Sequence, residues 1–494
     1  MHDIVPFAIA LLLFAGALLI AVGSNRLAQR VRVPAPAMFL VLAAVASLLF
    51  PELRRLSIVN DQRIVTVALA IILFEGGMHI GWNRMRQAAG AVVWLGVMGT
   101  VVTAGAMAVC AHLVFGLDWR AALLIGAALA PTDPAVVFSV LGRREVTGRS
   151  GVLLEGESGA NDPVGIALMV SLLAASGGGW EALGTGVAYF ALQLAVGAVV
   201  GIAGGWLLLR LMRRVPLPNE ALYPLQTIAF ALLLYAGAAA LHGSGFLAVF
   251  VAGILVGDER APYKREIERF TGALASLSEI VAFVVLGLSV DLATVFHPSR
   301  IGTALGLAAL LIFVVRPLLV GLVLWPVRLG RGERLFVLLS GLKGAVPILL
   351  GTYVLAEHSA HAVQIYDIVF VVVLLSVVLQ GGAVPALAAR FGVPMRVVDP
   401  EPWALGMRFR DEPHGLHRYV VQRGSPAEGC TIRGLDVGES FWISMISRGG
   451  RLVQVRGDTE LQAGDEVLAL ADEADAPGEI FAAPDRRGPS KPHR

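Results

Sequence analysis

The segment 121–141, AALLIGAALAPTDPAVVFSVL, is apolar and long enough to cross a bilayer as a helix, yet Pro131-Thr132-Asp133-Pro134 interrupts it at mid-length. Neither proline donates a backbone hydrogen bond. The carbonyls of Ala127 and Ala130 therefore lose the partners a continuous helix would supply, and Thr132 is expected outside helical geometry. Freed carbonyls half-way through a membrane can coordinate a cation, and the carboxylate beside them marks a functional position.

Working outward, the rest of the chain is of the same kind. At 56% apolar and only 15% charged residues, most of the 494-residue chain reads as lipid-embedded, and its 56 glycines suit helices that pack backbone to backbone. Thirteen apolar runs lie between Val5 and Ala389. The interrupted segment is the fifth, Gly151 to Ser176 the sixth, Gly272 to Phe296 the tenth, Ile301 to Trp325 the eleventh and Leu335 to Ala356 the twelfth. The first, Val5 to Val22, lacks a basic leader and is read as a true span. Basic residues crowd alternate loops (Arg26, Arg30, Arg32; Arg84, Arg86; Arg143, Arg144, Arg149; Arg210, Arg213, Arg214; Arg260, Lys264, Arg265, Arg269; Arg328, Arg331, Arg334) and are sparse in the others (Arg54, Arg55, Arg63, Arg120, Arg300). The positive-inside rule then sets the N-terminus outside and everything after Ala389 in the cytoplasm.

Seven spans separate the fifth from the twelfth, so the two run in opposite directions. The twelfth is also interrupted, at Gly344 and Pro347. Paired interruptions in oppositely directed helices point to a transporter of inverted repeats with its site where the broken helices cross.

Charges fall at matching depth. The sixth span reads Glu155-Gly156-Glu157-Ser158-Gly159-Ala160-Asn161-Asp162-Pro163. Counting about 1.5 Å per residue places Asp162 and Asp133 each roughly 17 Å deep, so they are expected to meet. Glu157 and Asn161, and Ser158 and Asp162, are four apart and share a side of the helix. Arg316 and Lys343 stand alone in the eleventh and twelfth spans, and Glu157 is the natural anion for Arg316. Asp162 has no comparable permanent partner, as an exchangeable site requires. Glu155, Glu75, His79 and Asp291 read as interfacial.

With these residues in view, the chain resembles the NhaP/NHE-type monovalent cation/proton antiporters. Leu73-Phe74-Glu75-Gly76-Gly77-Met78, Pro131-Thr132-Asp133-Pro134, Gly156-Glu157-Ser158-Gly159-Ala160-Asn161-Asp162, Arg316 and Gly341-Leu342-Lys343-Gly344-Ala345-Val346 occur in the family's order. The resemblance implies an all-α polytopic fold of 13 transmembrane helices, with a core and a dimerisation domain, working as a homodimer. It implies a monovalent cation held by Asp162, Ser158 and the Thr132 backbone oxygen with Glu157 nearby. Asn161 and Asp133 would hold the crossing in shape, and Arg316 would balance Glu157. Two departures, Lys343 where relatives often carry Arg and Pro347 after it, leave the path of the twelfth span open.

A mechanism follows from the charges alone. One carboxylate, Asp162, accepts a proton or a dehydrated cation, and the bare carboxylate is too costly to carry across the dry barrier, so exchange is obligatory. Because its neighbour is Asn161 and not a second Asp, one proton should trade for one cation.

After Ala389 the composition changes. Residues 1–390 are expected to form the exchanger, 391–414 a proline-marked linker, 415–475 a small β-rich (α+β) cytoplasmic domain and 476–494 a disordered tail. Short strands are expected at Arg418 to Val421, Phe441 to Ser447, Leu452 to Val455 and Val467 to Leu470, with turns at Gly449-Gly450 and Gly464-Asp465. The stretch from Gly424 to Asp465 resembles the TrkA-C domain, which implies a regulatory role, a small ligand and K+ over Na+ as cargo. The alternatives are a Na+(Li+)/H+ antiporter of the same family and, from another class, a ligand-gated cation channel. No nucleophile elbow, phosphate loop or zinc motif is present, so no enzyme activity or cofactor is expected. A net charge of +2 argues against a nucleic-acid partner, and Cys110 and Cys430 read as plain thiols.

Overall fold

The architecture is that of a computed structural model. It describes residues 34–50, 57–133, 144–146, 148–175, 180–258, 263–295, 297–327, 329–357, 361–397, 416–435, 441–449, 451–470 and 478–482, with single positions at 16, 19, 23, 137, 140, 141 and 437. Two compact units divide the chain, Met1–Val398 and Asp399–Arg494.

The first unit is helical. Its helices are α1 Ala35–Leu49, α2 Ile58–Trp94, α3 Thr100–Leu113, α4 Trp119–Leu129, α5 Gly148–Ala174, α6 Trp180–Arg214, α7 Leu222–Ala240, α8 Gly245–Gly257, α9 Lys264–Leu288, α10 Pro298–Leu310, α11 Arg331–Leu339, α12 Ala345–Ala356, α13 Ala362–Leu375 and α14 Gly381–Arg390. Among the described residues six helical stretches are long and apolar enough to cross a membrane: Ile58–Leu113, Gly184–Arg214, Leu222–Ala240, Lys264–Leu288, Pro298–Val323 and Ala362–Arg390. Four apolar helices are shorter: α1, α4, α8 and α12. Ile58–Leu113, at 56 residues, would extend about 84 Å if straight, far beyond one crossing. It breaks at Gly81, where φ is 68° and ψ 165°, so the third and fourth apolar runs both lie in it. The expected first span, Val5 to Val22, lies outside the described residues but for isolated positions.

Wide π-turns at Leu95–Gly99, Leu311–Val320 and Ser376–Gln380 join α2 to α3, extend α10, and join α13 to α14. Pro317 sits in the second, where a wider turn accommodates the missing N–H.

Two groups of helices pack internally. One holds α1, the first part of α2, α7, α8 and α9, with α6 against α8; the other holds α3, α4, α5 and α10 to α14. Small residues let backbones touch: a Cβ on Gly253 of α8 would lie 2.2 Å from the Phe74 carbonyl of α2. After α4, β1 (Arg144–Val146) pairs antiparallel with β2 (Met395–Val397), in register Arg144↔Val397. That ribbon was not foreseen. It places the fifth-to-sixth loop and the end of α14 at the same face of the unit.

The second unit is a four-stranded antiparallel sheet, β3 Leu416–Val420, β4 Trp442–Arg448, β5 Arg451–Val453 and β6 Glu466–Leu470, in the order β3-β6-β4-β5. Val421, Ile443, Ile446, Leu461, Val467 and Ala469 form its core. The final helical turn, α15 (Gly478–Phe481), falls in the stretch expected to be unstructured from Ala476. Phe481 anchors it, 2% exposed and stacked on Tyr419 at 4.8 Å.

One partly buried ion pair ties this sheet together. Arg448 donates from Nε and Nη2 to the two oxygens of Asp465, each at 2.8 Å, and the Gln462 amide donates to Oδ2 at 2.8 Å. Burial alone would raise the Asp465 carboxyl. The hydrogen bonds from Arg448 and from the Gln462 amide, with the charge of Arg448, outweigh it and hold the carboxyl below its ordinary 3.8. A carboxyl lowered in the folded state stabilises above its ordinary value and loses that contribution as pH falls through the folded one. Asp465→Asn should destabilise the sheet by about 1–2 kcal/mol at neutral pH, since the partly exposed Arg448 stays solvated, read as faster amide hydrogen exchange in β4 and β6 of the full chain. Wild-type protection should stay flat near neutrality and fall only below pH 3.8; unchanged exchange in the variant would show the pair to be dispensable.

Candidate ion-binding site

Helix α4 ends at Leu129, and Pro131 carries the chain out of helical geometry. Helix α5 grips the unwound residue on three sides. Ser158 Oγ donates to the Thr132 carbonyl at 2.5 Å, Asn161 Nδ2 donates to Thr132 Oγ1 at 2.7 Å, and the Thr132 amide donates to Asn161 Oδ1 at 3.3 Å. Asp162 lies one turn beyond Ser158 on the same side of α5. All four side chains are buried, Asp162 at 8% exposure. Glycines allow the approach: a Cβ on Gly165 would strike the Pro131 ring at 2.3 Å. Pro134 lies outside the described residues.

The second break is earlier than expected. The chain unwinds over Ser340–Gly344, between α11 and α12, whereas Pro347 sits in the first turn of α12, where no intrahelical N–H is needed. The two unwound stretches bind each other directly. The Asp133 amide donates to the Leu342 carbonyl at 2.8 Å. Lys343 Nζ donates to the carbonyls of Ala130 and Pro131, both at 2.9 Å. The Ala130 oxygen, expected to be free for a cation, is thus held by an ammonium, the favourable charge for a helix C-terminus. At the opposing end, Gly344 caps α12 so closely to Asp133 that a Cβ would fall 1.8 Å from Oδ2. A carboxylate at a helix N-terminus is again the favourable sign.

Arg316, on the π-turn after α10, donates from Nη2 to Glu157 Oε1 at 3.1 Å and from Nε to the Leu338 carbonyl at 2.8 Å. Both side chains are under 10% exposed. Glu157 Oε2 accepts no hydrogen bond. The charges that act on Asp162 are those of Asp133 and Lys343, and no ion pair to its carboxylate forms among the described residues.

Two buried acids and one half-buried acid escaped the reading of the sequence. Asp61 accepts from Ser289 Oγ at 2.9 Å, and Asp367 is paired with Arg300. Glu279, within α9, has a buried Oε1 that accepts no hydrogen bond. Each was visible as a carboxylate in or at the end of an apolar run. Glu155 meets His79 at 3.6 Å and Arg84 at 3.8 Å at the end of the unit that carries the loop arginines.

Between the helix groups, Gln62 Nε2 donates to the Thr352 carbonyl at 2.7 Å, Gln193 Nε2 donates to the Ala167 carbonyl at 3.2 Å and to Ser171 Oγ at 3.0 Å, and Tyr366 donates to the Leu286 carbonyl at 3.4 Å. These bonds gather toward the opposite end from Glu155 and Arg84.

Residues 14–390 match the family described as sodium/hydrogen exchanger, transmembrane, and residues 416–477 match the TrkA-C domain. The chain is 32% identical to the K(+)/H(+) antiporter NhaP of Alkalimonas amylolytica over 467 residues, covering 93% of this chain and 80% of the relative. It is 31% identical to the K(+)/H(+) antiporter NhaP2 of Shewanella sp. (strain MR-4) with the same coverage. It is 28% identical to the Na(+)/H(+) antiporter NhaH of Halobacillus dabanensis over 68% of this chain and 84% of that one. Among solved structures, the sodium proton antiporter MjNhaP1 from Methanocaldococcus jannaschii superposes with a TM-score of 0.63 at 23% identity, covering 76% of this chain and 99% of the other.

Proposed function

The chain belongs to the sodium/hydrogen exchanger family of multi-pass membrane transporters, and from that membership we propose that it exchanges one K+ for one H+ by alternating access at Asp162. The observation that carries this reading is the pairing pattern at the crossing. Glu157, Lys343 and Arg316 are each tied to a permanent partner, whereas the Asp162 carboxylate has no ion-pair partner among the described residues. A proton or a dehydrated cation neutralises it equally well, with Ser158 Oγ, the Thr132 carbonyl and Glu157 Oε2 available as further oxygens. The vacant, charged site is disfavoured in the dry barrier, so only loaded forms reorient. Asn161 adds no second charge, which makes the exchange electroneutral.

Alternating access fits two helix groups hydrogen-bonded to each other through Gln62, Gln193 and Tyr366. On the proposed topology these bonds lie toward the outer end, and rearranging them would open the site to that side. The proposed topology has thirteen crossings in a bacterial inner membrane, with the N-terminus outside. The β1–β2 ribbon supports a cytoplasmic C-terminus, since it joins an arginine-bearing loop to the chain after α14. The reading assigns exchange to residues 1–390, a linker to 391–414 and regulation through a small ligand to 415–475, in a homodimer. The relatives NhaP of Alkalimonas amylolytica and NhaP2 of Shewanella sp. (strain MR-4), which match 93% of this chain, are K(+)/H(+) antiporters by name, which favours K+ over Na+.

Proteoliposomes with an acidic interior and a pH-sensitive dye test the proposal. K+ should collapse the gradient at lower concentration than Na+ or Li+, at a rate unchanged by an imposed membrane potential. A Na+ preference would establish the sodium exchanger of the same family. Potential-driven flux without proton movement would establish a channel.

A further inference from the structure

Helix α9 belongs to the helix group that does not carry Asp162, and it packs on α1 and α2 while touching α12 where the crossing begins. Its one mid-helix carboxylate is Glu279, seven residues beyond Gly272 and so about 10 Å further along the axis. Residues seven apart share a helix face. That face looks at Glu75 of α2: a Cβ on Gly272 would lie 4.0 Å from Glu75 Oε1. Glu279 Oε1 is buried and accepts no hydrogen bond among the described residues, and the charges that act on it are acidic, Asp133 at the crossing and Glu75 toward the cytoplasm. Glu75 in turn lies near His79 and Glu155. The basic groups of this file stand at its mouth, where His79 and Arg84 are turned on Glu155, while Lys343 and Arg316 are committed to the crossing.

A carboxylate with a buried oxygen and no basic partner among the described residues calls for a mobile counter-charge, and the exchange proposed above supplies two, a proton and a monovalent cation. A purely structural acid would be expected to keep a fixed hydrogen bond, as Glu157 does to Arg316. We propose that Glu279 is an acidic residue on the cytoplasmic approach to Asp162 whose charge draws the incoming K+ toward the crossing from the opposite helix group. It raises the cation's local concentration on one side of the membrane without belonging to the set that carries the ion across. This inference rests on the exchange reading.

The test uses the full-length protein in oriented proteoliposomes with K+ as the probe, comparing wild type, Glu279→Gln, Glu279→Asp and Asp162→Asn. A unit charge about 10 Å away at an effective dielectric of about 20 changes cation occupancy on the order of tenfold. Glu279→Gln should raise KM for cytoplasmic K+ about tenfold, with maximal rate and external KM within about twofold of wild type, and Glu279→Asp should restore most of the affinity. An unchanged cytoplasmic KM in Glu279→Gln overturns the inference. So does a loss of maximal rate shared by Glu279→Gln and Glu279→Asp, which would mark a structural acid. Failure of the exchange reading looks different: wild type would then show no K+-coupled proton movement, or Asp162→Asn would keep it.

Discussion

Asp162→Asn is expected to abolish exchange while the protein still folds and inserts. The amide is of the same size and can hydrogen-bond, but it neither holds a transferable proton nor neutralises a cation. The loss should be on the order of a hundredfold or more, since a desolvated cation left without its counter-charge costs roughly 3 kcal/mol at mid-membrane. Dye-monitored proton flux driven by K+ measures the loss, and unchanged yield and thermal stability in detergent show that the variant folds. The grip on Thr132 depends on Ser158 and Asn161, so the crossing should survive the change. Normal flux in Asp162→Asn would remove the site from this residue.

The second large effect is on stability. Arg316 neutralises Glu157 and at the same time holds the carbonyls of Leu338 and Val337 at the end of α11. Arg316→Met should leave a buried carboxylate uncompensated and cost about 3–5 kcal/mol, seen as a lowered Tm or loss of folded protein from the membrane. Adding Glu157→Gln to it removes the stranded charge and should return part of that stability, although the helix end stays uncapped. A single Arg316→Met variant as stable as wild type would show that water or another cation compensates Glu157.

The helical membrane unit and the β-rich tail were legible because apolar runs and the positions of arginines record the solvent each segment meets. The interruption at Pro131 could be read directly, since proline removes a donor wherever it stands. Its counterpart in the twelfth run could not be placed so well: Ser340–Gly344 contains no proline, and the break there depends on bonds to Asp133, Ala130 and Pro131 some two hundred residues away. The pairing of Glu157 with Arg316 followed from the scarcity of buried charges. The role of Lys343 did not, because carbonyl oxygens are on every residue and sequence does not say which ones an ammonium will reach. Glu279 was missed for a different reason. It is one acid in the apolar stretch SLSEIVAFVVLGL, and its significance lies in sharing a helix face with Gly272, which meets Glu75 of another helix, as only the packing of α9 on α2 reveals.

The central claim is that cation and proton compete for one carboxylate. Isothermal titration of the detergent-solubilised protein with K+, repeated in buffers of different ionisation enthalpy, counts the protons released as the cation binds. The account expects one proton released per K+ bound at a pH where Asp162 begins protonated, and no binding heat in Asp162→Asn. Binding of K+ with no proton released in any buffer would contradict it.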